Sequence, residues 1–149
     1  MGETVEVKAS PRDQLARRRA AKLAAQRDGT TVEIPYLGEI LIVKFARMGS
    51  TNHAHKKAME AFRAQFRNAA TGEVDESLIP VGAKDEAIKL SLASNVVLDL
   101  QVKGAPEEPY TTEIGTDYLK DDDLYIEFIT RATSRETFEA SALKADAGN

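Results

Sequence analysis

The 149-residue chain contains no cysteine and no tryptophan, and only nine of its residues, four tyrosines and five phenylalanines, are aromatic. Without cysteine the chain can form neither a disulfide nor a thiolate metal site, which fits a reducing compartment. No apolar run approaches the roughly 18 residues of a membrane span, so we predict no membrane partner. The opening stretch, MGETVEVK, carries acidic residues and no apolar run, so we expect no export signal.

The sequence also lacks the patterns of common active sites. No G-x-S-x-G motif is present, and no Gly-rich loop has the spacing of a phosphate-binding or dinucleotide-binding motif. The only histidines, His53 and His55, lie about 200° apart around a helix, so we do not expect them to bind one metal ion together. We therefore predict that the protein is not an enzyme and that it uses no cofactor and no metal.

The first strong helix signal begins at Ser10, where a capping serine is followed by a proline at the first helical position. We predict a helix over residues 10–28 that is rich in arginine and includes Arg17, Arg18 and Arg19. These side chains could form a basic arm for nucleic acid or an acidic partner. A solvated helix explains them more simply, and the net charge of -4 argues against a dedicated nucleic-acid-binding protein.

Residues 31–46 change to the short period of β-structure. Two runs rich in β-branched residues flank Gly38, which can supply the positive φ of a tight turn. Proline cannot donate to a strand ladder, so the first strand, which contains Pro35, should lie at an edge or be bulged there. A hairpin alone is only marginally stable, so we expect this one to pack on helices or on another chain.

Helical spacing of apolar residues returns after the hairpin. It predicts a helix over 53–70 and a second over 83–98, whose wide apolar face should make it the most buried helix of the chain. A Gly/Pro-rich elbow follows and ends at Pro109, and two or three short capped helices complete the chain. The predicted fold class is mainly α, a compact bundle of about four to six helices with a β-hairpin near residues 31–46.

The predicted organisation is one domain with two loose ends. Residues 31–143 should form a single helical domain that contains the hairpin, preceded by the basic helix or arm at 10–28. We expect flexible segments at 1–9 and 144–149, where capping and apolar signals are weak.

From Thr31 to Phe138, about two thirds of the chain, the order of parts resembles the tail assembly chaperones of long-tailed bacteriophages. In that family an apolar segment precedes a charged amphipathic helix, which corresponds here to HAHKKAMEAFRAQF. A second helix then runs into a loop of the type G-x-x-x-P-Y-T/S-x-E, matched by the stretch GAPEEPYTTE that ends at Glu113. An L-x-D motif with an aromatic helix follows, matched by Leu119-Lys120-Asp121 and residues 124–128. The tryptophan that often precedes the loop in the family is replaced by Leu98-Asp99-Leu100.

The resemblance implies a protein that binds the long, aggregation-prone tape measure protein and brings tail tube subunits to it. It also implies action in the cytoplasm of the infected bacterial host. A small helical protein can cover an apolar helix of a partner by helix-in-groove packing, while its charged outer face keeps the complex soluble. The prediction leaves open a homo-oligomer and a longer, frameshifted form of the protein.

Six apolar side chains are the candidates for the partner-binding surface. They are Met59, Phe62 and Phe66, with Tyr125, Phe128 and Ile129 as a second group. The same residues could instead be ordinary core. Two other functions stay open at this point: a structural head or tail subunit of the virion, and a nucleic-acid-associated regulator that uses the basic arm.

Overall fold

Six α-helices and a three-stranded antiparallel sheet make up residues 10–147, which are the residues that this computed structural model describes. The helices are α1 (Pro11–Asp28), α2 (His53–Ala64), α3 (Ala83–Ser91), α4 (Thr112–Tyr118), α5 (Asp122–Thr133) and α6 (Arg135–Ala147). The strands are β1 (Thr30–Tyr36), β2 (Glu39–Phe45) and β3 (Val97–Val102). The predicted class, mainly α with a β-hairpin, is confirmed. The predicted loose end at 1–9 and the last two residues lie outside the described range.

The predicted hairpin is present as strands β1 and β2. A tight turn joins them at Leu37 and Gly38, both of which have positive φ, at 48° and 84°. Strand β2 is central in the order β1-β2-β3, so β1 lies at an edge, as Pro35 predicted. The inner face of the sheet packs on helices, which meets the expectation that the hairpin needs further support.

The prediction of one helix over 83–98 is correct for its first half, up to Ser91, and wrong for the second half. Helix α3 ends at Ser91, a π-turn occupies Leu92–Val96, and the chain then enters strand β3, which pairs with β2. A bulge at the β2–β3 pairing brings Val97 opposite Phe45, while Leu100 lies opposite Val43. Two inward residues are therefore three positions apart, which imitates the spacing of a helix face.

The helix predicted over 53–70 is also shorter than expected, since α2 ends at Ala64. The chain turns back instead, and the carbonyl of Phe66 accepts a hydrogen bond from the amide of Asp75 at 2.8 Å. Arg67 and Val74 form an isolated antiparallel bridge in the same turn. These pairings satisfy backbone groups that a longer helix would have satisfied internally.

The core lies between the inner face of the sheet, the π-turn and helices α4 and α5. The rings of Phe45 and Phe128 meet edge to face there, with centroids 5.2 Å apart. Leu92, Ala93 and Val96 of the π-turn are fully buried, whereas Leu90 on α3 is 55% exposed. The predicted burial of this region is therefore correct for the π-turn and wrong for α3.

Helix α1 packs along α6 and is joined to it by an ion pair between Lys22 and Glu139 at 3.0 Å. The carbonyl of Gln26 also accepts a hydrogen bond from the amide of Arg47 at 2.8 Å. The basic segment is thus a docked helix. Helix α6 continues to Ala147, so residues 144–147, predicted as the beginning of a tail, are helical.

Candidate functional site

An open apolar groove of about 660 Å³ lies between helices α2, α3 and α5. We call it the Met groove, because both methionines of the described chain line it, together with two isoleucines. These residues are Met48, Met59, Ile88 and Ile129. All four are half-buried, so they combine apolar character with access from solvent. The groove therefore offers a surface for an apolar stripe of a partner.

The rim of the Met groove is charged. Lys56, Glu60 and Arg63 of α2 line it, and Arg63 is paired with Glu76 at 3.3 Å. This pair is exposed, so it contributes little to stability. A partner helix in the groove would meet apolar side chains in the middle and charged ones at the edge, as in helix-in-groove complexes.

A polar network supports the groove from beneath. Asn52 caps α2 by accepting a hydrogen bond from the amide of His55 at 3.0 Å, and its side-chain amide donates to the carbonyls of Arg47 and Asn95. Nδ1 of His55 lies 2.6 Å from the hydroxyl of Ser91. These contacts tie α2 to the π-turn, so the walls of the groove are held in a fixed relative position.

The pair of His55 and Ser91 has the residue types of a nucleophile and its base, but its surroundings do not suit catalysis. The side-chain amide of Asn95 also donates to the Ser91 hydroxyl at 3.1 Å, so this hydroxyl is engaged by two partners. Ser91 is only 3% exposed, so its side chain belongs to the buried network and not to the surface of the groove. Burial lowers the pKa of His55, which keeps the ring neutral in the network.

The structure brings only two of the six predicted partner-binding residues, Met59 and Ile129, into the Met groove. Phe62 lines a neighbouring groove with Ala87 and Leu90, and Phe66 packs edge-on against its ring at 5.2 Å. Sequence reasoning missed Met48 and Ile88, the remaining apolar residues of the Met groove. They come from a loop and from α3, and no spacing in the sequence joins them to α2.

The second predicted group divides between core and surface. Phe128 is fully buried against Phe45 and so is not available to a partner in this fold. Tyr125 is half-buried beneath Lys89, whose ammonium lies 5.1 Å from the ring centroid. Its pKa is raised, mainly by burial. Ile129 alone of this group faces the Met groove.

The three predicted arginines lie on α1. Arg17 and Arg19 are exposed, and Arg18 is half-buried. Arg18 and Arg19 line a groove between α1 and α6, and Arg17 does not. The run of three basic residues therefore spans two sides of the helix, as expected for consecutive helical positions.

Comparison with protein-family models, with curated proteins and with solved structures found no match for this chain. The resemblance to tail assembly chaperones thus depends on the motifs quoted above. Within residues 10–147, no group of histidine and acidic side chains is arranged to hold a metal ion. No helix in that range has the length and apolar character needed to cross a membrane.

Proposed function

We propose that this chain is a tail assembly chaperone of a long-tailed bacteriophage. It binds an amphipathic helix of the tape measure protein and helps to recruit tail tube subunits during tail assembly in the host cytoplasm. The observation that supports the proposal is the Met groove, an accessible apolar surface that includes Met59 and Ile129.

The chemistry of the groove suits a long helical client. Methionine is flexible and polarisable, so Met48 and Met59 can adapt to different apolar side chains along a repetitive helix. The charged rim keeps the complex soluble and limits how the client aligns. Because the groove is open, binding needs no rearrangement of the core.

The direct test is co-expression with the tape measure protein of the same phage, followed by co-purification. Met59→Asp places a charge on the apolar wall and should abolish the complex. Lys57→Asp, on the exposed side of the same helix, is the matched control and should leave it intact. Thermal unfolding of both variants separates lost binding from lost folding.

A second variant covers the case in which Met59→Asp does not fold. Thr133→Trp adds a large ring at an exposed position of the groove without disturbing the core, so it should block a client helix. Retention of the complex by folded Met59→Asp and Thr133→Trp proteins would exclude the Met groove as the binding site. Detection of the protein in purified virions, without any complex with the tape measure protein, would favour the structural-subunit alternative.

A further inference from the structure

A separate groove, of about 490 Å³, runs between α1 and α6, and we call it the α1–α6 groove. Its apolar lining consists of Leu15, Ala142 and Leu143. Both leucines are largely accessible to solvent, since Leu15 is 66% exposed and Leu143 is 54% exposed. None of its lining residues belongs to the Met groove.

The charged lining of the α1–α6 groove is mostly basic. Among the described residues it contains Arg18, Arg19 and Lys22 and one carboxylate, that of Glu139. Glu139 already lies 3.0 Å from Lys22 and 3.6 Å from Arg135, and the hydrogen bond from Lys22 is the main cause of its lowered pKa. The described lining therefore carries more positive than negative charge, which favours the approach of carboxylates.

The net charge of α1 is opposite in sign to that of the rest of the chain. Helix α1 carries six basic and two acidic side chains, a net charge of +4, while the complete chain has a net charge of -4. The remaining residues hold fourteen basic and twenty-two acidic side chains, so they carry -8. A strongly positive helix on an acidic protein gives an acidic partner one preferred place to approach.

We infer that the α1–α6 groove binds an acidic amphipathic helix of a partner protein. The apolar stripe of that helix covers Leu15 and Leu143, and its flanking carboxylates face Arg19 and Lys22. The lining residues of α1 from Leu15 to Lys22 have the i, i+3, i+4, i+7 spacing of one helix face. They span about 10 Å, which matches two turns of a partner helix.

The lining of this groove favours a protein over a nucleic acid. Proteins that bind single strands stack the bases on aromatic side chains, and none of the described residues that line the groove is aromatic. The nearby ring of Phe138 is fully buried beneath the guanidinium of Arg47. Exposed leucines between the cations contribute nothing to phosphate binding, whereas they suit the apolar side of a helix.

The probe is a fluorescein-labelled synthetic helix of about fourteen residues, roughly four turns, with leucines along one side and glutamates on both flanks. A control peptide has lysine in place of every glutamate. By fluorescence anisotropy the acidic peptide should bind, with an affinity that falls as salt is added, because exposed charges are screened. The lysine peptide should not bind.

Two pairs of variants on α1 locate the binding site. Arg19→Glu, in the groove, should weaken the acidic peptide roughly fivefold, whereas Arg17→Glu, outside it, should have less than about a twofold effect. Leu15→Asp should weaken binding as well, while Leu23→Asp, exposed on the same helix but outside the groove, should not. Met59→Asp should leave this binding unchanged, which separates the inference from the proposed function.

Equal effects within each pair would overturn the inference, since they would show that only the general charge of α1 matters. Tighter binding of a labelled oligonucleotide than of the acidic peptide, with equal losses in Arg17→Glu and Arg19→Glu, would assign the surface to nucleic acid instead. Circular dichroism of each variant confirms that α1 stays folded.

Discussion

The hydroxyl of Tyr110 donates a hydrogen bond to the carbonyl oxygen of Ala93 at 2.5 Å, which fastens the elbow to the π-turn. The amide of Val97, which would bond to Ala93 in an α-helix, bonds to Leu92 instead. The π-turn thus frees one carbonyl in the core, and the tyrosine of the Pro-Tyr-Thr motif satisfies it. Burial raises the pKa of Tyr110 to about 12, so the hydroxyl remains a donor throughout the physiological range.

Removal of this hydroxyl should destabilise the protein. Tyr110→Phe leaves the buried carbonyl of Ala93 without its donor, at a cost of about 1–3 kcal/mol in the free energy of unfolding. Tyr118→Phe is the control, because the Tyr118 hydroxyl makes no hydrogen bond to any residue in 10–147. Urea unfolding of both variants measures the difference. Equal stability of the two would mean that the bond contributes nothing.

Gly115 on α4 should not tolerate alanine, although alanine favours helices by about 1 kcal/mol. A Cβ atom at this position would overlap the Tyr110 hydroxyl and come within 2.9 Å of the Ala93 Cβ. We expect Gly115→Ala to lower the free energy of unfolding by about 1–3 kcal/mol through overpacking. Gly49→Ala, whose Cβ would lie 3.8 Å from its nearest neighbour, should be neutral. An increase in melting temperature for Gly115→Ala would show that Tyr110 and Ala93 do not pack closely against Gly115.

Features fixed by neighbouring residues could be predicted from the sequence, and features fixed by distant pairings could not. Ser10 caps α1 as expected, because a cap acts over two or three residues. Strand β3 was missed because its bulge removes the alternation that marks a strand. The Met groove combines a loop with three helices, and no local pattern in the sequence brings Met48 beside Ile88.

His55 should make stability depend on pH. Burial lowers its pKa in the folded state below the ordinary value of 6.5, so the unfolded chain binds more protons there in mildly acidic solution. The stability that comes from the neutral ring is complete above about pH 6.5 and is lost as the pH falls through the folded pKa. Urea midpoints between pH 5 and 8 should show this loss.

Two single variants on α2 test the source of that pH dependence. His55→Gln should remove it, together with part of the stability supplied by the contact with Ser91. His53→Gln, at the exposed first position of the same helix, should retain the behaviour of the unmodified protein. A pH profile that is unchanged in His55→Gln would assign the effect to other groups.

If the client surface extends from the Met groove into the neighbouring groove that Phe62 lines, Phe62→Asp should weaken co-precipitation with the tape measure protein while leaving a cooperative fold. Phe62 is half-buried in a surface groove, so a charge there stays partly solvated. Phe128 is fully buried and provides the contrast, because Phe128→Ala should cost about 3–5 kcal/mol. Unfolding of Phe62→Asp would show that Phe62 belongs to the core and would remove it from the predicted binding surface.

Oxidation of this chain should weaken binding of the tape measure protein, if the Met groove is the site of that binding. The chain has three methionines, and the two within residues 10–147, Met48 and Met59, both line the groove. A sulfoxide makes these flexible apolar side chains polar, so the groove would lose its match to an apolar helix. We expect at least a severalfold loss of affinity after mild peroxide treatment of the chain alone, and recovery after treatment with methionine sulfoxide reductases.

The control is a Met48→Leu/Met59→Leu double variant, in which Met1 is the sole methionine left to oxidise. Leucine conserves volume and apolar character, so this variant should fold and bind nearly as well as the unmodified chain. Its binding should then resist mild peroxide, because the groove of this variant contains no methionine. Equal sensitivity of both proteins would locate the damage outside the groove, and a fully oxidised chain that binds normally would exclude the Met groove as the client-binding surface.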